Sequence, residues 1–197
     1  SYSAPLVSAD NVVRELLRAG KTWKSYAESI PYAGYTGPDV GLYARRHNTL
    51  ALVTDVVNDS TQVKHLVPFS QFETDRTNNT LPNYAFIVPN LCNDAHDCPL
   101  STADAWLQTH IDPLIKSAPF QQDGVLIILF DESASDNAHG GGRVAWVTVS
   151  AKAKRAFQST TLYQHESTLR LSLEALGVTA FPNHAASAPV MSEFYTP

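Results

Sequence analysis

The chain is expected to fold as an α/β domain built on a mainly parallel sheet in three layers. Three observations carry that expectation. Segments that read as strands at 22–26, 84–88, 124–130 and 143–149 alternate with stretches of helical periodicity. The run 124–130, Gly-Val-Leu-Ile-Ile-Leu-Phe, is apolar on both faces, as a central parallel strand is. A length of 197 residues suits one good-sized domain over 1–197 and is short for two.

The elements follow in order. Ser8 reads as a helix N-cap, with Val12, Val13, Leu16 and Leu17 at helical spacing and Gly20 as the stop. Residues 22–26 read as a short strand in which Trp23 alternates with Lys24. Residues 27–46 are rich in Tyr, Gly and Pro and read as an irregular loop, followed by a poorly patterned helix over 48–57. The strand 84–88 is closed by Pro89 and Asn90. Residues 102–117 read as a helix with Ala103, Trp106, Leu107 and Ile111 on one face. After the strands 124–130 and 143–149 comes a helix over 166–176, ended by Gly177. The last twenty residues read as loop and short turns.

Composition narrows the function classes. Lys and Arg number 14 against 19 Asp and Glu, a formal charge of −5. With no basic cluster beyond Lys152, Lys154 and Arg155, a nucleic-acid partner is not expected. Hydrophobic residues make up 44% of the chain, enough for a buried core. The longest apolar run, 125–130, is far short of the roughly 20 residues that span a bilayer, so no integral membrane segment is expected. The chain starts at Ser1, its single Met is Met191, and no basic stretch precedes an apolar one. It is therefore expected to be a mature product or a fragment, without a signal peptide.

Cys92 and Cys98 lie six apart in a polar loop. They suit a local disulfide in an oxidising compartment, hence a secreted or periplasmic protein. The rival is a metal site made by Cys92, Asp94, His96, Asp97 and Cys98, although mixed Cys and Asp ligands at this spacing match no common zinc pattern.

In parallel sheets the chemistry sits beyond the carboxyl ends of the strands. That rule selects two places. Asp131 and Glu132 follow the strand 124–130 directly. Adjacent carboxylates repel each other, and a divalent cation relieves that cost. Their alternative role is a solvated loop start or a helix cap. The strand 84–88 leads to His96, flanked by Asp94 and Asp97. A neighbouring carboxylate fixes a histidine tautomer and favours the protonated ring, which suits an anionic oxygen or a leaving group. The alternative here is a surface turn stapled by a disulfide. Arg45 and Arg46 precede His47 and Asn48, and Arg forks bind phosphate, although an Arg pair also suits a solvated surface. His165 reads as a helix-start residue, and His65, His110 and His184 receive no role. His139-Gly-Gly-Gly142 is similar to an esterase oxyanion loop, but no Gly-x-Ser-x-Gly elbow accompanies it. It reads as a flexible turn.

Several phrases occur together in order: Thr22-Trp-Lys-Ser-Tyr-Ala-Glu28, Tyr43-Ala-Arg-Arg-His-Asn48, Leu81-Pro-Asn-Tyr-Ala-Phe-Ile-Val-Pro-Asn90, Asn93-Asp-Ala-His-Asp97, Ala103-Asp-Ala-Trp-Leu107, Ile127-Ile-Leu-Phe-Asp-Glu132, Gly140-Gly-Gly-Arg-Val-Ala-Trp-Val147 and Tyr163-Gln-His-Glu-Ser-Thr-Leu169. Together they resemble the bacterial phosphoesterases, the acid phosphatases and phosphocholine-type phospholipases C of the alkaline-phosphatase-like superfamily.

The resemblance implies metal-assisted hydrolysis of phosphate esters through a covalent phosphoenzyme. It implies that Asp131 and Glu132 are metal ligands and that His47 and His96 contact the phosphoryl group. Arg46, Asn48 and Asp97, from the same phrases, are expected to bind the substrate. The donor pair admits calcium, magnesium, zinc or iron.

The chain departs from the family pattern at its start. The family's first strand carries a Glu-Asn pair that completes the metal site, and a Thr or Ser nucleophile follows. Neither is found here, and Ser1 and Ser3 sit in a Pro-containing lead-in. The chain is therefore expected to be the carboxyl-terminal two-thirds of such an enzyme, lacking the first strand region and nearly inactive alone. Its exposed sheet edge would associate with the missing amino-terminal segment or with a second copy. The alternative function is a non-catalytic metal- or anion-binding α/β module. A serine esterase using His139 to Gly142 is disfavoured by the missing elbow.

Overall fold

The computed structural model describes residues 5–196, so Ser1 and Ser3 lie outside the described residues. The chain is α/β. Its first sheet holds β1 (Trp23–Ala27) between β2 (Leu66–Pro68) and β3 (Tyr84–Val88), all parallel. Ser25 of the middle strand stands opposite Leu66 on one side and Phe86 on the other.

Alternation along these strands makes two cores, because successive side chains point to opposite faces. Trp23, Ala27, Leu66 and Val88 face one core. It is closed by Val13 and Leu16 of α1 (Val12–Arg18), Val56 of α2 (Thr54–Val57) and Leu173 of α7 (His165–Ala175). Tyr26 and Val67 face the other. Phe72 of α3 (Ser70–Thr77) and Trp106 of α4 (Leu100–His110) cover them. The sheet thus lies between two helical layers. Tyr26 and Phe72 meet edge to face with ring centroids 5.5 Å apart, a preferred aromatic geometry. Below them Asp75 accepts hydrogen bonds from Lys24 Nζ (2.5 Å), Tyr26 Oη (2.7 Å) and Gln71 Nε2 (2.8 Å), which ties α3 to β1.

Four expectations need correction. The cap of α1 is Asn11, whose Oδ1 accepts from the Arg14 amide at 3.2 Å, rather than Ser8. The stretch 48–57 divides into a 3-10 turn, Thr49–Leu52, and α2. Val53 between them is extended, because it bridges to Val7. The helix over 102–117 breaks after Ile111 and restarts as α5 (Asp112–Ile115), since Pro113 has no N–H to continue the ladder. The fourth concerns the sheet. The apolar run 124–130 yields β4 (Leu126–Leu129), which pairs antiparallel with β5 (Trp146–Val149) in a separate two-stranded sheet. It is not central among the described residues. Among the described residues one edge of β4 has no strand partner, and Val125, Leu129 and Phe130 are each 38% exposed.

The sequence reading missed β2, α3 and α6 (Ala118–Asp123). β2 is three residues long and ends at Pro68, too short for a period-two pattern and tolerated because it is an edge.

Candidate active site

The carboxyl ends of β1 and β3 lie side by side, Ala27 opposite Val88. The chain leaving β3 makes a compact turn held at several points. Asn90 Oδ1 accepts from the amides of Cys92 (3.0 Å) and Asn93 (3.1 Å). The Asp94 amide donates to the Asn90 carbonyl and the Asp97 amide to that of Leu91. The Cys92–Cys98 disulfide closes the turn, as expected. Both sulfurs are consumed, so the rival metal site built from these cysteines is excluded.

This turn carries Asp94, and Asp94 organises the two histidines. Its Oδ2 lies 2.8 Å from Nδ1 of His47, and its Oδ1 accepts from the His96 amide at 2.8 Å. The His47 and His96 rings are 5.4 Å apart between centroids, tilted by 54°. His96 Nδ1 in turn lies 2.7 Å from Asp97 Oδ1. A carboxylate accepts but cannot donate, so each ring carries its proton on Nδ1. Nε2 of each ring makes no hydrogen bond among the described residues and is left for a ligand. His47 is largely shielded by the protein, while His96 is 52% exposed at the rim.

The other expected residues divide. The side chain of Asp97 is bound to His96. Arg46 is ion-paired with Asp39, whose other oxygen accepts the Arg45 amide at 2.7 Å. Arg45 itself turns inward onto the Ala51 carbonyl. Asn48 has no exposed surface. Its Oδ1 accepts from Ser25 Oγ (2.7 Å) and its Nδ2 donates to Tyr43 Oη (3.3 Å). Its amide is thus engaged inside the protein, where it fastens the His47 loop to β1. Burial raises the Tyr43 hydroxyl above its ordinary pKa, keeping it a neutral partner for that amide.

Asp131 and Glu132 follow β4 and are exposed. Asp131 Oδ1 accepts from the Glu132 amide at 3.0 Å. The Asp131 carbonyl accepts from His165 Nε2 at 2.6 Å, and Gln164 Nε2 donates to the His139 carbonyl at 2.9 Å. The start of α7 thus clamps both ends of the 131–139 loop. Gly142 closes the loop at φ +72°, and a Cβ there would collide with the Asp136 carbonyl. Asp136 is held below the usual carboxylate range by the amides of Ala138 and Arg143. The expected turn at the triglycine is therefore a tied one.

Two exposed carboxylates suit a hard cation as ligands. Among the described residues, however, no group of three or more His, Cys, Asp or Glu side chains is placed to hold a metal ion. No hydrogen bond or ion pair among them joins Asp131 or Glu132 to His47 or His96. The described residues provide at most part of a metal site.

Sequence reasoning passed over two residues here. Asp94 is expected as a neighbour of His96 and a member of the rival metal site, whereas its carboxylate engages His47. Glu28, one residue past β1, accepts from Asn90, Asn93 and Trp106. Its position at the carboxyl end of a strand was the available signal.

Known proteins share much of this sequence. A probable acid phosphatase of Kluyveromyces lactis is 35% identical over 133 residues, 64% of this chain and 32% of that protein. An acid phosphatase of Aspergillus fumigatus is 36% identical over 120 residues, 57% of this chain and 27% of that protein. A phosphatidylinositol-3-phosphatase of Mycobacterium tuberculosis is 28% identical over 185 residues, 94% of this chain and 58% of that protein. The chain thus spans about a third of the fungal relatives it matches. Residues 3–178 match the phosphoesterase family model, and the chain belongs to that family.

Proposed function

We propose that the protein containing this chain hydrolyses phosphate monoesters and that His47 and His96 face the phosphoryl group. The observation that carries the proposal is the paired histidines at the carboxyl end of a parallel sheet, joined by Asp94. Relatives named as phosphatases support the same chemistry. Phospholipase C activity, on a diester, is the less supported variant.

Phosphoryl transfer needs positioning and charge stabilisation more than covalent help from many groups. With Nδ1 engaged, the His47 ring cannot rotate away, and Nε2 is presented in a fixed direction. Doubly protonated, each ring donates from Nε2 to a phosphate oxygen. His96, at the exposed rim, is the better placed to give a proton to the leaving alcohol. Asp131 and Glu132 would hold a divalent cation, which supplies Lewis-acid stabilisation of phosphate oxygens when bound.

We further propose that the unpaired edge of β4 and the exposed Val125, Leu129, Phe130 and Val147 receive an amino-terminal segment of the family domain or a second copy of the chain. This chain alone would then be nearly inactive. The disulfide supports a secreted or periplasmic location. Among the described residues no helix is long and apolar enough to cross a membrane.

The test is turnover of p-nitrophenyl phosphate and p-nitrophenyl acetate by the full-length protein. Phosphate-ester turnover should fall about 100-fold or more in His47→Ala and in His96→Ala. Equal turnover in both variants and the parent, or hydrolysis of the carboxyl ester alone, would overturn the proposal.

A further inference from the structure

Glu28 lies at the carboxyl end of the middle strand, half-buried between the histidine turn and α4. Its surroundings are all N–H donors. Oε2 accepts from the Asn90 amide (3.0 Å) and Asn93 Nδ2 (2.8 Å). Oε1 accepts from Asn93 Nδ2 (3.0 Å) and Trp106 Nε1 (3.3 Å). No Lys or Arg pairs with it among the described residues.

That arrangement has a direction. The donors Asn90 and Asn93 both precede Asp94 in the turn, and the Asp94 amide itself hangs from the Asn90 carbonyl at 2.9 Å. Ser29, the residue after Glu28, sits at φ +60° and its Oγ accepts from Asn90 Nδ2 at 3.1 Å. A non-glycine residue with left-handed backbone is uncommon and persists where surrounding contacts fix it. The rigid end of β1 therefore grips Asn90 through two consecutive residues and Asn93 through one. Asp94 comes next and meets His47.

We propose that Glu28 is a positioning residue, holding the Asn90 to Asp94 turn in the register that keeps Asp94 against Nδ1 of His47. Its effect on turnover rests on the phosphate-ester reading above. Its effect on the His47 ring does not.

The substitution Glu28→Gln is diagnostic because of the donor pattern. Each carboxylate oxygen faces two N–H groups, so the amide nitrogen meets donors whichever way it is turned. Nitrogen-15 spectra of the His47 ring read the consequence in the full chain. The parent should show one tautomer with the proton on Nδ1. Glu28→Gln should show a mixture, and in the full-length protein kcat for p-nitrophenyl phosphate should fall about 10- to 100-fold with KM little changed. In Glu28→Gln/Asn93→Asp the donor and acceptor are exchanged, so the Nδ1 tautomer and part of kcat should return. Should Glu28→Gln fail to fold, Asn93→Ala removes the turn's side of the bond and should give the same tautomer mixture. An unaltered His47 ring in the folded variant, or a double variant no better than the single, would overturn the proposal. A tautomer mixture with no phosphate-ester turnover even in the parent would support the positioning role and refute the phosphatase reading instead.

Discussion

Replacing Asp75 by Ala tests whether the sheet that carries the site is held from below as the contacts indicate. Asp75 is 5% exposed, and its carboxylate accepts from Lys24, Tyr26 and Gln71. Removing it leaves the fully buried Tyr26 hydroxyl without a partner, which costs about 1–3 kcal/mol. Lys24 also loses its ion pair. Breaking a fully buried pair costs about 3–5 kcal/mol, less here because the Lys24 side chain is 27% exposed. These costs overlap, and together they predict a loss of about 3–4 kcal/mol by urea denaturation. Tyr26→Phe alone should cost far less, and the double variant should be less damaging than the sum, because the orphaned hydroxyl is gone.

The pH dependence adds a second reading. Burial alone would raise the Asp75 pKa, but bonds from Lys24, Tyr26 and Gln71 outweigh it and hold the carboxyl below its ordinary value. Stabilisation from a lowered carboxylate pKa is complete above the unfolded value, about 3.9, and fades as pH falls through the folded one. The gap between parent and Asp75→Ala should therefore be full at neutral pH and narrow below about pH 4. A loss under about 1 kcal/mol at pH 7, or a gap that widens in acid, would refute this account of the network.

Three further outcomes follow from the site. Asp94→Asn keeps an oxygen for the His96 amide but places an N–H group against His47 Nδ1, so kcat/KM for p-nitrophenyl phosphate should drop roughly 10- to 100-fold with little change in melting temperature. Cys92→Ser/Cys98→Ser opens a short loop and should lower stability by about 2 kcal/mol, with faster amide exchange at Asp94 and Asp97. His165→Ala removes the donor to the Asp131 carbonyl, so amide exchange over 131–142 should accelerate while global stability changes by less than about 1.5 kcal/mol.

The α/β class was legible because strands and helices alternate with distinct periods, and Tyr84–Val88 forms the expected strand. The His47 and His96 phrases each stood out by composition. Their meeting did not, because it runs through a tertiary contact between His47 and Asp94, which are 47 residues apart in the chain. Glu28 was hidden for the same reason: its partners lie more than sixty residues away. Asn48 shows how burial escapes a motif reading. A polar residue in a motif reads as a ligand contact, and nothing in its neighbours shows that Ser25 and Tyr43 bind its amide inside the core. The run 124–130 misled because hydrophobicity reports a preference for burial and says nothing about pairing direction. That direction is set by β5, which returns from the tied loop 131–142 as an antiparallel partner.

Titration of the chain with inorganic phosphate, followed on the histidine ring resonances, asks whether His47 and His96 bind one phosphoryl group. His47 and His96 should shift together along one saturating curve while His110, bound to Glu73, and His184 stay still. Shifts confined to His110 or His184, or no response of His47 and His96 at saturating phosphate, would contradict it.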